Sequence, residues 1–168
     1  SLEGGVRHEL VHILRFLNGE YNKVKRSLSY LPTEEGLASY FQDNVHGVID
    51  NGKVQHAAEF MASIVGVKGS LRDVFNYMMS IGMSPELAWK RSSRHKFGFV
   101  DTSLPGDIIK PAMYYANEVK VANLSSDEKL RLFVGKISLD QLNKFPNYNG
   151  LWPADVLNEY FNLQGETL

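Results

Sequence analysis

The sequence has no cysteine among its 168 residues. Disulfides and thiolate metal ligands are therefore excluded, and any zinc must be held by His, Asp or Glu. The same absence leans toward a reducing compartment, so the cytoplasm is the expected location. An excess of one charge is also missing. Lys and Arg number 18 against 19 Asp and Glu, a net charge of −1. That balance gives no electrostatic case for nucleic acid or an anionic membrane as partner. No apolar run is long enough to span a bilayer. No stretch alternates apolar and polar residues for long enough to force a sheet, and there is no internal repeat, low-complexity tract or long linker. No secretory signal is visible; the first residue is Ser1 rather than Met, so the natural N-terminus is expected further upstream.

What is present reads as helix. Leu10, Leu14 and Leu17 recur at i, i+4, i+7 within a helix over 4–18, and Asn18-Gly19 is its expected stop. A basic, polar connector follows to Pro32. Thr33 is the expected cap of a second helix over 34–44, with Glu34 and Glu35 in its first turn. Val48 to Gly52 reads as a turn. A third helix fits 53–65, with Ala57, Phe60, Met61 and Ile64 as its apolar stripe. Ser70 caps a fourth over 71–81, and Ser84-Pro85 opens a fifth with Pro at the first helical position. A loop over 95–109 precedes a sixth helix at 110–123. Ser126 is the expected cap of a seventh over 127–134, Ser138 opens a short eighth, and the last covers 153–162. The length suits one sizeable core. The expectation is a mainly α fold, a single helical domain over 1–168.

One segment carries chemistry. Arg7-His8-Glu9-Leu10-Val11-His12 contains H-E-x-x-H. Residues four apart share a helix face, so both imidazoles can reach one ion. Glu9 sits beside them as the expected catalytic carboxylate, able to take a proton from water activated by the ion. A catalytic zinc has three protein ligands and one open position. The segment Pro32-Thr33-Glu34-Glu35-Gly36 supplies the third. Glu35 is favoured over Glu34, which points about 100° away around the helix. Gly36 would let the first two helices approach closely near the metal. Alone, H-E-x-x-H can be decoration on an amphipathic helix, and paired acids can be ordinary first-turn residues. Together they favour a metal site of His8, His12 and Glu35.

The runs HELVHILRFLNG, PTEEGLASY and LRLFVGKISLDQL together resemble the tyrosine carboxypeptidase family of zinc metallopeptidases. Animal members of that family trim the C-terminal tyrosine of α-tubulin, and bacterial members carry a QEGLA-type motif. The resemblance extends from His8 to about Leu157 and corresponds to the C-terminal half of a typical member. It implies that His8 and His12 bind zinc, that Glu9 is the catalytic carboxylate and Glu35 the third ligand, and that Lys110 to Tyr114 matches the family's Lys-x-x-x-Tyr pattern. It implies a helical zincin-type, gluzincin-like domain. Two departures stand out. The family carries one more residue between its histidines. Peptidases of this type also place a β-sheet before the metal helix, and only seven residues precede His8, so the upstream sheet is missing or very short.

A carboxypeptidase must hold a terminal carboxylate, for which Arg91, Arg94 and Lys110 are the candidates. Arg91 and Arg94 fall in the dense run Lys90-Arg91-Ser92-Ser93-Arg94-His95-Lys96, whose bland reading is a solvated helix end with His95 at the surface. Tyr114 or Tyr115 can donate to a developing oxyanion, and the resemblance favours Tyr114. His46 and His56 fit no pattern and are assigned to the surface or to local hydrogen bonds. The expected function is zinc-dependent hydrolysis of a peptide bond in a protein or peptide tail. The alternative is a non-catalytic helical interaction domain whose zinc is structural or vestigial.

Overall fold

A computed structural model describes residues 1–44 and 51–163. Among the described residues there is no strand, and the fold is mainly α. The elements are α1 (Leu2–Asn22), α2 (Tyr30–Asp43), α3 (Asn51–Lys68), α4 (Leu71–Ser80), α5 (Pro85–His95), α6 (Lys110–Ala122) and α7 (Ser126–Arg131). Two 3-10 turns follow, Leu132–Val134 and Leu139–Lys144, and then α8 (Ala154–Tyr160). No described helix is long and apolar enough to cross a membrane. The expected turn at Val48 and the residue His46 lie outside the described residues.

The chain divides into two compact units, Ser1–Gly52 with Ala116–Leu168, and Lys53–Tyr115. In the first, α1 and α2 lay Val11, Leu14, Leu37, Ala38 and Phe41 against Phe133, Leu157 and Phe161. Three phenylalanines stack at its centre: the Phe41 ring centroid lies 4.5 Å from that of Phe161, and Phe133 lies 5.1 Å from Phe161. Each ring buried there is worth about 2–3 kcal/mol in transfer from water. This cluster fixes the two helices that carry the H-E-x-x-H and Glu-Glu segments. Gly4 and Gly36 permit the close approaches. A Cβ on Gly4 would lie 2.6 Å from the Gln42 carbonyl oxygen, where α1 meets α2. A Cβ on Gly36 would lie 2.6 Å from the Asn117 carbonyl carbon. The close contact at Gly36 is thus between α2 and α6, not between α2 and α1 as the sequence suggested.

Helix ends differ from expectation for tertiary reasons. Asn18-Gly19 does not stop α1, which runs on to Asn22 and ends at Lys23 in the left-handed region, φ 54°. Asn18 is fully buried. Its amide donates to the Phe133 carbonyl at 2.7 Å and its side-chain oxygen accepts from the Leu151 N–H at 2.8 Å. With its side chain bonded to distant backbone, Asn18 does not compete with the helix's own bonds. Thr33 does not cap α2, which begins three residues earlier. Its hydroxyl accepts from the Leu139 N–H at 3.0 Å instead. Pro32 falls in the first turn, where a missing N–H costs nothing. Ser70 and Ser84 cap α4 and α5 as expected. The cap of α7 is Ser125 rather than Ser126, paired reciprocally with Glu128.

The second unit has a small apolar core of Ala62, Val74, Met78 and Ala88 and, beside it, a buried ionic cluster. His95 is fully buried, with Nδ1 2.8 Å from Asp107 and Nε2 2.9 Å from Glu59. Arg91 donates to the same Glu59 and, at 2.9 Å, to Gln55. Lys96 is buried, and its ammonium donates to the carbonyls of Gly66, Gly69, Leu104 and Gly106. The bland reading of the 90–96 run is therefore corrected: His95 and Lys96 point inward and tie down the 97–109 loop. The stripe expected on α3 is corrected too. Met61 and Ile64 are 45% and 42% exposed, while Glu59, Ala62 and Ser63 are buried. The inward face of α3 is partly polar because it meets the imidazole of His95.

Candidate metal centre

His8 and His12 occupy successive turns of α1, and their rings meet edge to face with centroids 4.9 Å apart. α1 is anchored at both sides of the motif. Leu14 and Val11 are buried in the core, and Ser1 caps the helix start by accepting from the Gly4 N–H at 3.0 Å. α2 lies alongside and brings Glu35 to the pair. Glu35 Oε2 is 3.8 Å from His8 Nε2 and 3.9 Å from His12 Nε2. One nitrogen from each ring and one Glu35 oxygen all lie within 4.8 Å of one another.

The donor set and spacing suit zinc. Two imidazoles and one carboxylate are a catalytic zinc set, needing no thiolate. Ligand atoms about 2.0–2.1 Å from a tetrahedral ion lie roughly 3.3 Å apart. The separations of 3.8 and 3.9 Å to Glu35 exceed that by about half an ångström, and no pair of the three atoms is more than 4.8 Å apart. The three side chains are 18%, 23% and 13% exposed, so the cluster is screened but not sealed from solvent. Glu9 is exposed and lies on the groove that α1 forms with Ser1, Leu2, Gly5, Val6, Leu10 and Ile13, a volume of about 550 Å³.

Behind His12 stands a residue whose place the sequence reading did not foresee. Glu34 is 2% exposed, and its Oε1 lies 2.8 Å from His12 Nδ1. The same oxygen accepts from Lys136 Nζ at 2.6 Å, and Oε2 accepts from Arg15 Nη1 at 3.4 Å. Burial favours the neutral acid of Glu34, but the His12 bond and the Arg15 and Lys136 charges outweigh it and hold its pKa below the usual carboxylate range. The bond to Glu34 in turn raises the His12 pKa, against burial and with help from the charges of Glu34, Glu35 and Glu9. Arg15 is fully buried, and desolvation brings its pKa down to about 10, so it is still cationic at neutral pH. The only sequence signal for Glu34 was its adjacency to Glu35.

The other candidates belong to the second unit. Arg91, Arg94 and Tyr114 line one cavity of about 270 Å³ together with Gln55, His56 and Glu59. Arg91 is committed to Glu59 and Gln55, whereas Arg94 is exposed. Lys110 places its ammonium 5.8 Å from the Tyr114 ring centroid. Tyr115 instead packs against Phe60, with centroids 5.5 Å apart. His56 is half-buried on the cavity wall rather than simply at the surface.

No protein-family model matches the chain. The chain is similar to microtubule-associated tyrosine carboxypeptidase 1 of Homo sapiens, at 30% identity over 156 residues. It is a distant relative of that protein. The match takes in 84% of this chain and 32% of the human one, so the chain spans about a third of the relative's length.

Proposed function

We propose that this chain is the metal-binding, C-terminal part of a larger zinc metallopeptidase catalytic domain, of carboxypeptidase type. The observation that carries the reading is the convergence of His8, His12 and Glu35 from two helices onto one point. The likeness to a tyrosine carboxypeptidase supports a protein or peptide tail as substrate, with a C-terminal tyrosine as the first choice. The apolar side of α1 supports the larger domain: Leu2, Val6 and Ile13 are 88%, 52% and 52% exposed around the groove that holds Glu9. The absence of cysteine supports a cytoplasmic setting.

When bound, zinc would supply a Lewis acid that acidifies water and polarises a carbonyl oxygen. His8, His12 and Glu35 would hold the ion as its three protein ligands. Glu9 accepts the proton of the attacking water and returns it to the departing amine as the peptide bond breaks. Arg94, exposed in the second unit, has the planar guanidinium that can take a carboxylate through two parallel bonds, whereas Arg91 is held by Glu59 and Gln55.

The test is zinc-dependent release of the last residue from peptides ending in tyrosine, followed by mass spectrometry. This chain and a longer chain extended upstream of Ser1 are assayed, each with and without Glu9→Gln. Glu9→Gln is expected to keep stoichiometric zinc and lose about 10²- to 10⁴-fold in rate, the usual worth of a positioned base. Hydrolysis that survives Glu9→Gln, or zinc-loaded chains of both lengths that cleave nothing, refutes the enzymatic reading and leaves a helical domain with a structural zinc.

A further inference from the structure

We infer that Glu34 is the positioning residue of the metal centre: held by Lys136 and Arg15, it takes the Nδ1–H of His12 and so commits Nε2 of that ring to the ion. The inference rests on the metal reading above and goes beyond the three ligands it names.

A neutral imidazole has one N–H and one lone pair, and either nitrogen can carry the proton. A carboxylate only accepts, so the nitrogen facing it must be the one that bears hydrogen. Glu34 Oε1 is 2.8 Å from Nδ1. The lone pair is then on Nε2, the nitrogen that lies 3.9 Å from Glu35. Glu34 and Glu35 are neighbours on one helix and diverge by about 100°, which lets the pair straddle the His12 ring. One carboxylate faces each nitrogen. The adjacent acids therefore have separate tasks, and the doubled Glu is explained rather than redundant.

Glu34 itself must be fixed to fix anything else. It is almost fully buried, which is costly for an unpaired carboxylate. Lys136 and Arg15 supply the two cations. Arg15 also donates to the carbonyls of Leu132 at 2.9 Å, Gly135 at 3.1 Å and Ile137 at 2.6 Å. Those carbonyls flank Lys136, so Arg15 pins the backbone from which Lys136 reaches Glu34. A segment 102 positions from Glu34 in sequence is thereby wired to the orientation of a metal ligand. Carboxylate partners of this kind raise ligand basicity and hold the ring in place.

The experiment is zinc affinity of the full chain, measured by competition with a chromophoric chelator, together with the visible spectrum of the cobalt(II)-loaded form. Wild type, Glu34→Gln, Lys136→Met and Lys136→Arg are compared, with helix content of each metal-free form checked by circular dichroism. Glu34→Gln is expected to weaken zinc binding about 10- to 100-fold and to shift the cobalt bands. Lys136→Met is expected to weaken it several-fold, and Lys136→Arg to restore it. A merely structural role would lower thermal stability without moving the affinity or spectrum of folded protein. Should Glu34→Gln fail to fold, the partly exposed Lys136 carries the test by itself. Wild-type binding with both Glu34→Gln and Lys136→Met within twofold of it overturns the positioning role alone. A wild type that binds no zinc overturns the metal reading and this inference with it.

Discussion

Replacing Arg15 with Met removes one of the most connected side chains of the first unit while keeping most of its volume. The guanidinium makes three bonds to main-chain carbonyls and one to Glu34, all at a position with no exposed surface. A hydrogen bond to a charged group contributes about 1.5–3 kcal/mol net, and the groups left behind keep their desolvation penalty because water cannot reach them. Breaking a buried ion pair from one side costs about 3–5 kcal/mol. The four bonds do not add independently, and the Met side chain recovers some apolar burial. A loss of about 4 kcal/mol is expected, against a typical domain stability of about 5–15 kcal/mol. Arg15→Lys keeps the charge near Glu34 but cannot reproduce the fork, so about half that loss is expected. Urea titration reads it out. The chain has two tryptophans, Trp89 in the second unit and Trp152 in the first, so Trp152 fluorescence in a Trp89→Phe background follows the first unit. A loss below about 1 kcal/mol for Arg15→Met would show that the carbonyls find other donors, and the reasoning would be wrong.

Gly36→Ala is expected to destabilise the first unit by about 1–2 kcal/mol: overpacking against the Asn117 backbone costs about 1–3 kcal/mol, and helix propensity returns up to about 1. An unchanged urea midpoint would show that α2 and α6 part freely. The second unit should lose stability as pH rises. Burial lowers the His95 pKa, but Glu59 and Asp107 outweigh it, and the net shift is upward. A raised histidine stabilises fully below about 6.5 and loses that contribution as pH passes its folded value. Asp107, raised chiefly by burial, works in the same direction, while Glu59, held low by His95 and Arg91 despite burial, sets the acid limit. Trp89 fluorescence during thermal unfolding between pH 6 and 9 should therefore show a falling midpoint, and His95→Gln should flatten it. A midpoint that rises over that range contradicts the assignment.

The helices were legible because apolar spacing and caps are local. Ser70, and Ser84 with Pro85, announce α4 and α5 and are used as they read. The ends that went astray, at Asn18 and Thr33, are polar residues whose side chains bond to distant backbone, which no local pattern reveals. The α3 face was misread for a related reason. Hydrophobic periodicity cannot see a buried carboxylate such as Glu59, whose burial is offset by His95 and Arg91 from another helix. At the candidate metal site the i, i+4 histidines are local, and Glu35 is favoured on helix geometry. Glu34 was not legible, since its partners Arg15 and Lys136 come from separate segments.

The central claim is that His8, His12 and Glu35 share one zinc ion. X-ray absorption at the zinc edge, on protein loaded to one equivalent, tests it most directly. The expected spectrum has two imidazole nitrogens near 2.0–2.1 Å with oxygen completing the shell, and it loses one imidazole in His8→Ala. Failure to retain one equivalent of zinc, or a spectrum without imidazole scattering that is indifferent to His8→Ala, would contradict the account.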